Sequence, residues 1–310
     1  MHILVFGAGG VGGYFGGRLA QAGERVTFVA RGGHLQAILG NGLHVESIKG
    51  DFTIQPVNAT DDPSQVDGVD AVLMCVKTWQ VTKAGKAIIP LLNRDTFVVP
   101  LENGVEAPSQ LAEILGREHV LGGLCRIASH IASPGHIQHT GIEPYVAFGE
   151  LDKRLTTRAQ DLKQAFEGAG VWVEIPPDIN VAMWQKYLFI STVSSIGAVT
   201  RVPIGDFRSH PETRQMMERA LQDCYSLALA HGVQLPPESV ANTLAFIDSL
   251  PPETIASMHR DIIEGCPSEL DSQVGAIVQM GQMYNVSTPV HTFIYHSLLP
   301  QERLARSKPG

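Results

Sequence analysis

An α/β chain with two unlike halves is what this sequence predicts: a doubly wound parallel sheet in the N-terminal domain, then an all-helical C-terminal domain. Three observations predict it. An apolar run, Ile3 to Phe6, leads straight into Gly7-Ala8-Gly9-Gly10-Val11-Gly12. Strand and helix signals then alternate as far as Glu174. Beyond Pro176-Pro177 the pattern turns helical and stays so, with prolines such as Pro203, Pro211, Pro236 and Pro289 punctuating it. Proline is tolerated at a helix start because the N–H it lacks has no partner there. The boundary falls near residue 178, giving domains of residues 1–178 and 179–310.

The first element is a buried strand, Ile3–Phe6, followed at once by G-x-G-x-x-G. The first glycine allows a tight turn, the second lets backbone approach a pyrophosphate, and the third lets helix and strand pack closely. A helix over Tyr14–Ala22, ended by Gly23, and a second strand over Arg25–Ala30 complete a strand–helix–strand unit of about 30 residues. That context makes a Rossmann-type dinucleotide site out of what would otherwise be a glycine-rich turn. Further strands are read at Asp70–Val76, Phe97–Val99 and Val120–Ala128. A short hairpin, Gly42–Ser47 with Phe52–Pro56, turns around Lys49-Gly50. Val146–Gly149 and Val171–Glu174 are later strands, with a helix over Thr156–Gly168 between them. These pieces extend the doubly wound sheet with some antiparallel members.

Bulk properties narrow the function. A net charge of −8 argues against nucleic-acid or anionic-membrane partners. No apolar run has the length of a membrane span. Residues 1–6 are already strand, so a signal peptide is not expected and a cytoplasmic protein is. The four cysteines, Cys75, Cys125, Cys224 and Cys266, form no C-x-x-C and read as free thiols. His130, His136 and His139 cluster, but in strand and turn, without the helical spacing of a metal site. Ile277, Met280 and Met283 read as core or dimer surface, so the chain is a monomer or a homodimer.

The end of the second strand bears on the cofactor. Val29-Ala30-Arg31-Gly32-Gly33-His34 offers no carboxylate for a ribose 2′-hydroxyl, while Arg31 can fork onto a 2′-phosphate. NADP(H) is therefore expected over NAD(H). Ligands of open α/β sheets sit beyond the carboxyl ends of strands, which singles out Lys77 and Asn103. Lys77 can reach a phosphate or hydroxyl, and the Asn103 amide offers a donor and an acceptor. Alone, each reads equally as a solvated lysine and a turn asparagine. In the second domain, Lys186 sits among Trp184, Tyr187 and Leu188. A lysine so placed either snorkels to water or, if buried, donates a proton. Ser257 and Asp261 share a helix face. Ser268 before Glu269-Leu270-Asp271 has the form of a helix N-cap with acidic residues in its first turn.

Taken together these motifs resemble the ketopantoate reductase family. The residues that carry the resemblance are Gly7 to Gly12, Val76-Lys77-Thr78-Trp79-Gln80, Glu102-Asn103-Gly104, Trp184-Gln185-Lys186, Ser257-Met258-His259-Arg260-Asp261 and Ser268-Glu269-Leu270-Asp271. It implies an NADPH-dependent reduction of 2-dehydropantoate to pantoate, in pantothenate and coenzyme A synthesis. It implies cofactor contacts at Gly7, Ala8, Gly9, Gly10, Val11, Gly12, Arg31, Lys77, Asn103 and Glu269. Catalytic roles fall to Lys186, as general acid, and to Glu269, at the junction of cofactor and substrate. Substrate contacts fall to Asn103, Lys186, Ser194 and Ser257. The small-molecule partner is a 2-oxo acid, and no metal is implied.

The chain departs from the family pattern in one place. Three positions where many members carry asparagine hold Ile190, Ser194 and Ile204. A site built without those amides suits a more apolar 2-oxo acid, which is the paralogous NADP-dependent dehydrogenase reading. A non-catalytic NADP-binding regulator is the reading of another class. Lys186, Ser257 and Glu269 together argue against it.

Overall fold

The first strand, β1 (His2–Phe6), sends alternate side chains into two different cores. Ile3 and Val5 enter one, Leu4 and Phe6 the other. That is the signature of a strand covered on both faces, and it explains why the run reads as continuously apolar. The next two strands across the sheet repeat the split: Ala71 and Leu73 against Val72 and Met74, and Phe97 and Val99 against Val98. Burying a side chain of this size contributes about 1.5–3 kcal/mol.

The computed structural model describes residues 1–308, which divide into two compact units. Residues 1–102 and 106–179 form the first, and residues 103–105 and 180–308 the second. In the first, β1 is followed by α1 (Gly10–Gln21), β2 (Arg25–Val29), α2 (Gly32–Asn41), β3 (Leu43–Ser47), β4 (Phe52–Ile54), β5 (Asn58–Thr60) and β6 (Ala71–Met74). Then come α3 (Val81–Ile88), β7 (Phe97–Pro100), α4 (Ala107–Leu115), β8 (Leu121–Ser133), β9 (His136–Glu150), α5 (Thr157–Gly168) and β10 (Trp172–Glu174).

Five strands form a parallel sheet in the order β5-β2-β1-β6-β7. The order reverses at β1, and β1 feeds the glycine turn, so the turn lies at the switch point of a doubly wound sheet. The antiparallel pieces expected as extensions make a sheet of their own, β10-β9-β3-β4, with β8 along the other side of β9. Helix α1 touches both sheets, and its glycines permit this. A Cβ on Gly16 would meet Phe28 and Val5 of the first sheet, and on Gly13 it would meet Ile137 of the second.

Some bounds differ from expectation. Helix α1 begins at Gly10 rather than Tyr14, because close packing of Gly12 and Gly13 outweighs the poor helix propensity of glycine. Strand β6 stops at Met74 rather than Val76, whose N–H donates to the Glu102 carboxylate at 3.1 Å instead of continuing the ladder.

The second unit is helical: α6 (Ile179–Thr200), α7 (Ile204–Ser209), α8 (Pro211–Ala230), α9 (Ser239–Ser249), α10 (Ser257–Ile263), α11 (Ala276–Tyr284) and α12 (Pro289–Ser307). A π-helical turn, Asp271–Gly275, leads into α11. Ile277 and Met280 enter the core, while Met283 is 75% exposed. Among the described residues no helix is long and apolar enough to cross a membrane.

Candidate active site

The glycine turn has the stereochemistry the motif demands. Gly7 adopts φ +105°, and its N–H and that of Ala8 both donate to the Val29 carbonyl, at 3.1 and 3.2 Å. A Cβ on Gly12 would lie 2.1 Å from the Gly7 carbonyl oxygen and 2.8 Å from Val5, so only glycine fits there. A Cβ on Gly9 would meet nothing within 4 Å. Tight turn, open approach and close helix contact therefore fall on Gly7, Gly9 and Gly12 in that order, a form that fits a pyrophosphate at the start of α1.

Arg31 follows β2 and stands exposed as the N-terminal cap residue of α2, with an extended backbone. Lys77 is exposed after β6, with its Nζ 5.8 Å from the centre of the Trp79 ring. Glu102, overlooked as a site residue in the sequence, is buried, and its bond to Val76 N–H ties the chain after β7 to the chain after β6. These two segments leave neighbouring parallel strands at their carboxyl ends.

In the second unit, Asn103 and Glu269 come together although far apart in sequence. The Asn103 Nδ2 donates to Glu269 Oε2 at 3.1 Å, and Gln273 Nε2 donates to the same oxygen at 3.1 Å. Glu269 is only 6% exposed and Gln273 fully buried. Two amide donors stabilise a buried carboxylate. Gln273 went unmarked in the sequence, where only its spacing of one helical turn from Glu269 could have pointed to it. Gln273 lies in the π-helical turn, and such turns recur at functional sites.

The capping role expected of Ser268 is changed. Its Oγ accepts from Leu270 N–H at 3.2 Å, yet donates to the buried Glu302 carboxylate of α12 at 2.6 Å. Glu302 also accepts from Ser268 N–H, and Arg306 donates to the Ser268 carbonyl at 2.8 Å. The residue before Glu269 is thus bolted to α12, and the Glu269 side chain faces side-chain amides rather than the start of its own helix.

Lys186 lies on α6, half-buried, between the buried Trp184 and Tyr187, whose rings meet edge to face at 5.6 Å. The Tyr187 hydroxyl donates to the Ser272 carbonyl at 3.1 Å, which joins α6 to the Glu269 segment. Ser194, also on α6, is fully buried, and its Oγ has no hydrogen-bond partner among the described residues. Ser257 opens α10 and is half-buried. Of the three positions that depart from the family pattern, Ile204 is wholly buried in the helical core, while Ile190 is half-buried at its edge.

The comparisons with known proteins agree with this architecture. A family model described as ketopantoate reductase PanE/ApbA matches residues 3–153, and the model of its C-terminal domain matches residues 178–302. A 2-dehydropantoate 2-reductase from Nostoc is 28% identical over 95% of this chain and 93% of its own length. The crystal structure of a PanE/ApbA family ketopantoate reductase from Ralstonia eutropha is 31% identical, covers 99% of this chain and 100% of its own, and superposes with a TM-score of 0.90. A ternary structure of D-mandelate dehydrogenase with NADH and anilino(oxo)acetate shares the fold, with a TM-score of 0.90 at 22% identity, over 99% of this chain and 100% of its own.

Proposed function

This chain belongs to the ketopantoate reductase PanE/ApbA family, and on that premise we propose that it reduces 2-dehydropantoate to pantoate with NADPH. The observation that carries the reading is the family match over both halves of the chain. A glycine turn alone would name a nucleotide and no substrate.

The residues divide the work. Gly7 to Gly12 receive the pyrophosphate, Arg31 reads the 2′-phosphate, and Lys77 reaches the cofactor's phosphate or hydroxyls. Bound NADPH supplies the hydride for C2 of the 2-oxo acid. Lys186 meets the charge that grows on the C2 oxygen and donates the proton that makes the 2-hydroxy acid. Proton donation of this kind accelerates a reaction about 10²–10⁴-fold, and electrostatic stabilisation adds to it. Ser257 holds the substrate, with Ser194 as a second hydroxyl. Glu269 fixes the Asn103 amide, so that Asn103 presents its remaining donor and acceptor atoms to cofactor and substrate in a set orientation.

A second reading keeps the chemistry and changes the acid. Ile190 stands, half-buried, at a position where the family resemblance implies an amide, and a substrate with fewer polar groups suits it better. NADPH oxidation followed at 340 nm with 2-dehydropantoate, beside a panel of bulkier and more apolar 2-oxo acids, separates the two. Turnover of 2-dehydropantoate is expected. Turnover of another acid alone discards that substrate, and no turnover of any acid discards the reductase reading.

A further inference from the structure

His34, on α2, makes two hydrogen bonds that fix both its tautomer and the glycine turn. The Gly135 N–H donates to Nδ1 at 3.0 Å, so that nitrogen is an acceptor and carries no proton. The proton is on Nε2, which lies 2.8 Å from the Ala8 carbonyl oxygen and donates to it. Ala8 is the second residue of Gly7-Ala8-Gly9. In a planar trans peptide the carbonyl and the following N–H point in opposite directions. Holding the Ala8 carbonyl toward His34 therefore aims the Gly9 N–H the other way. Gly9 is the member of the turn that faces open space.

The far side of His34 is equally well anchored. Gly135 joins β8 to β9 at φ +78°, its carbonyl accepts from His44 N–H of β3 at 2.9 Å, and a Cβ there would lie 3.1 Å from Ala37 of α2. The same hairpin also backs the turn directly, since a Cβ on Gly10 would lie 2.4 Å from the Ser129 carbonyl oxygen. The second sheet thus braces the glycine turn at Gly10 by contact and at Ala8 through an imidazole.

We propose that His34 is a positioning residue for the dinucleotide: as the neutral Nε2–H tautomer it orients the Ala8–Gly9 peptide so that the Gly9 N–H is presented to the pyrophosphate. This rests on the reading of the turn as a dinucleotide site and gives the β8–β9 hairpin a part in cofactor affinity.

The test compares His34→Phe, which keeps the ring and loses both hydrogen bonds, with His34→Gln, which retains a donor and an acceptor. Should His34→Phe fail to fold, His34→Ala makes the same comparison. Binding is titrated with NADPH and with adenosine 2′-phosphate, which lacks the pyrophosphate. His34→Phe is expected to weaken NADPH about tenfold, leave adenosine 2′-phosphate within about twofold and leave kcat at saturating NADPH unchanged, with His34→Gln recovering most of the affinity. NADPH bound equally well by wild type and His34→Phe overturns the inference alone. So does a parallel loss of both ligands, which marks general damage. A wild-type protein that binds neither NADPH nor NADH overturns the dinucleotide reading of the turn together with it.

Discussion

Lys186 and Arg31 carry the sharpest expectations at the scale of the residue, because each is assigned one chemical task. If Lys186 donates the proton, Lys186→Ala lowers kcat by at least about tenfold while NADPH binding, measured by titration, survives. Equal turnover would remove it from the mechanism. If Arg31 reads the 2′-phosphate, Arg31→Ala raises the KM for NADPH by about tenfold or more and leaves that for NADH nearly unchanged, since the lost charge-assisted pair exists only with the phosphate. Equal weakening of both would make Arg31 an exposed helix-cap residue and nothing more. Single residues were legible where a motif fixed their neighbours, as at Gly7 and Gly12. They were not legible where the fold supplies the partner. Nothing local to Glu269 announces the Asn103 amide, and nothing local to His34 announces Gly135.

At the scale of the element, the turn and helix α1 separate two kinds of glycine. Gly12 is required by packing, because the Gly7 carbonyl and Val5 occupy the place of its Cβ. Gly12→Ala is expected to cost about 1–3 kcal/mol of stability through overpacking, read as a lower unfolding midpoint, and to lose NADPH binding with it. Gly9 has φ −73° and open space before it, so alanine fits without strain. Gly9→Ala is expected to keep stability within about 0.5 kcal/mol yet weaken NADPH roughly tenfold, because the methyl group intrudes where the pyrophosphate approaches. A destabilised Gly9→Ala, or one that binds NADPH normally, would contradict the assignment. Strands covered on both faces were legible as apolar runs, and the β3–β4 hairpin from its turn residues. The second sheet was not, because the pairing of β9 with β3 and β10 joins segments far apart in sequence and leaves no local period. The π-helical turn before α11 was equally hidden behind an apolar pattern that an ordinary helix also satisfies.

For the whole molecule, burial of neutral imidazoles predicts how stability follows pH. His2 Nδ1 donates to the Asp67 and Gly68 carbonyls while its Nε2 accepts from the Thr27 hydroxyl, His139 bonds Ser47 and the Ile142 carbonyl, and His259 packs against Gly197 of α6. All three are at most 5% exposed, and burial holds each below the ordinary histidine range, helped at His2 by the Arg25 charge. A folded pKa below the unfolded value of about 6.5 means that acid protonates the unfolded chain first. Stability is then fully present above about pH 7 and falls as pH drops through 6.5, with a limiting slope of about 1.4 kcal/mol per pH unit for each proton the fold excludes. Thermal unfolding between pH 7.5 and 5.5 reads this, because an ordinary carboxylate titrates below that window; burial raises the Glu106 pKa toward it, so the comparison is made in a Glu106→Gln background as well. The midpoint is expected to fall steadily with acid, and His139→Gln, which retains a donor and an acceptor for Ser47 and Ile142, is expected to flatten the slope. A midpoint that stays level or rises toward pH 5.5 would show that these imidazoles take up protons in the folded state, and that the two sheets and the helical unit accommodate charge where their burial says they should not.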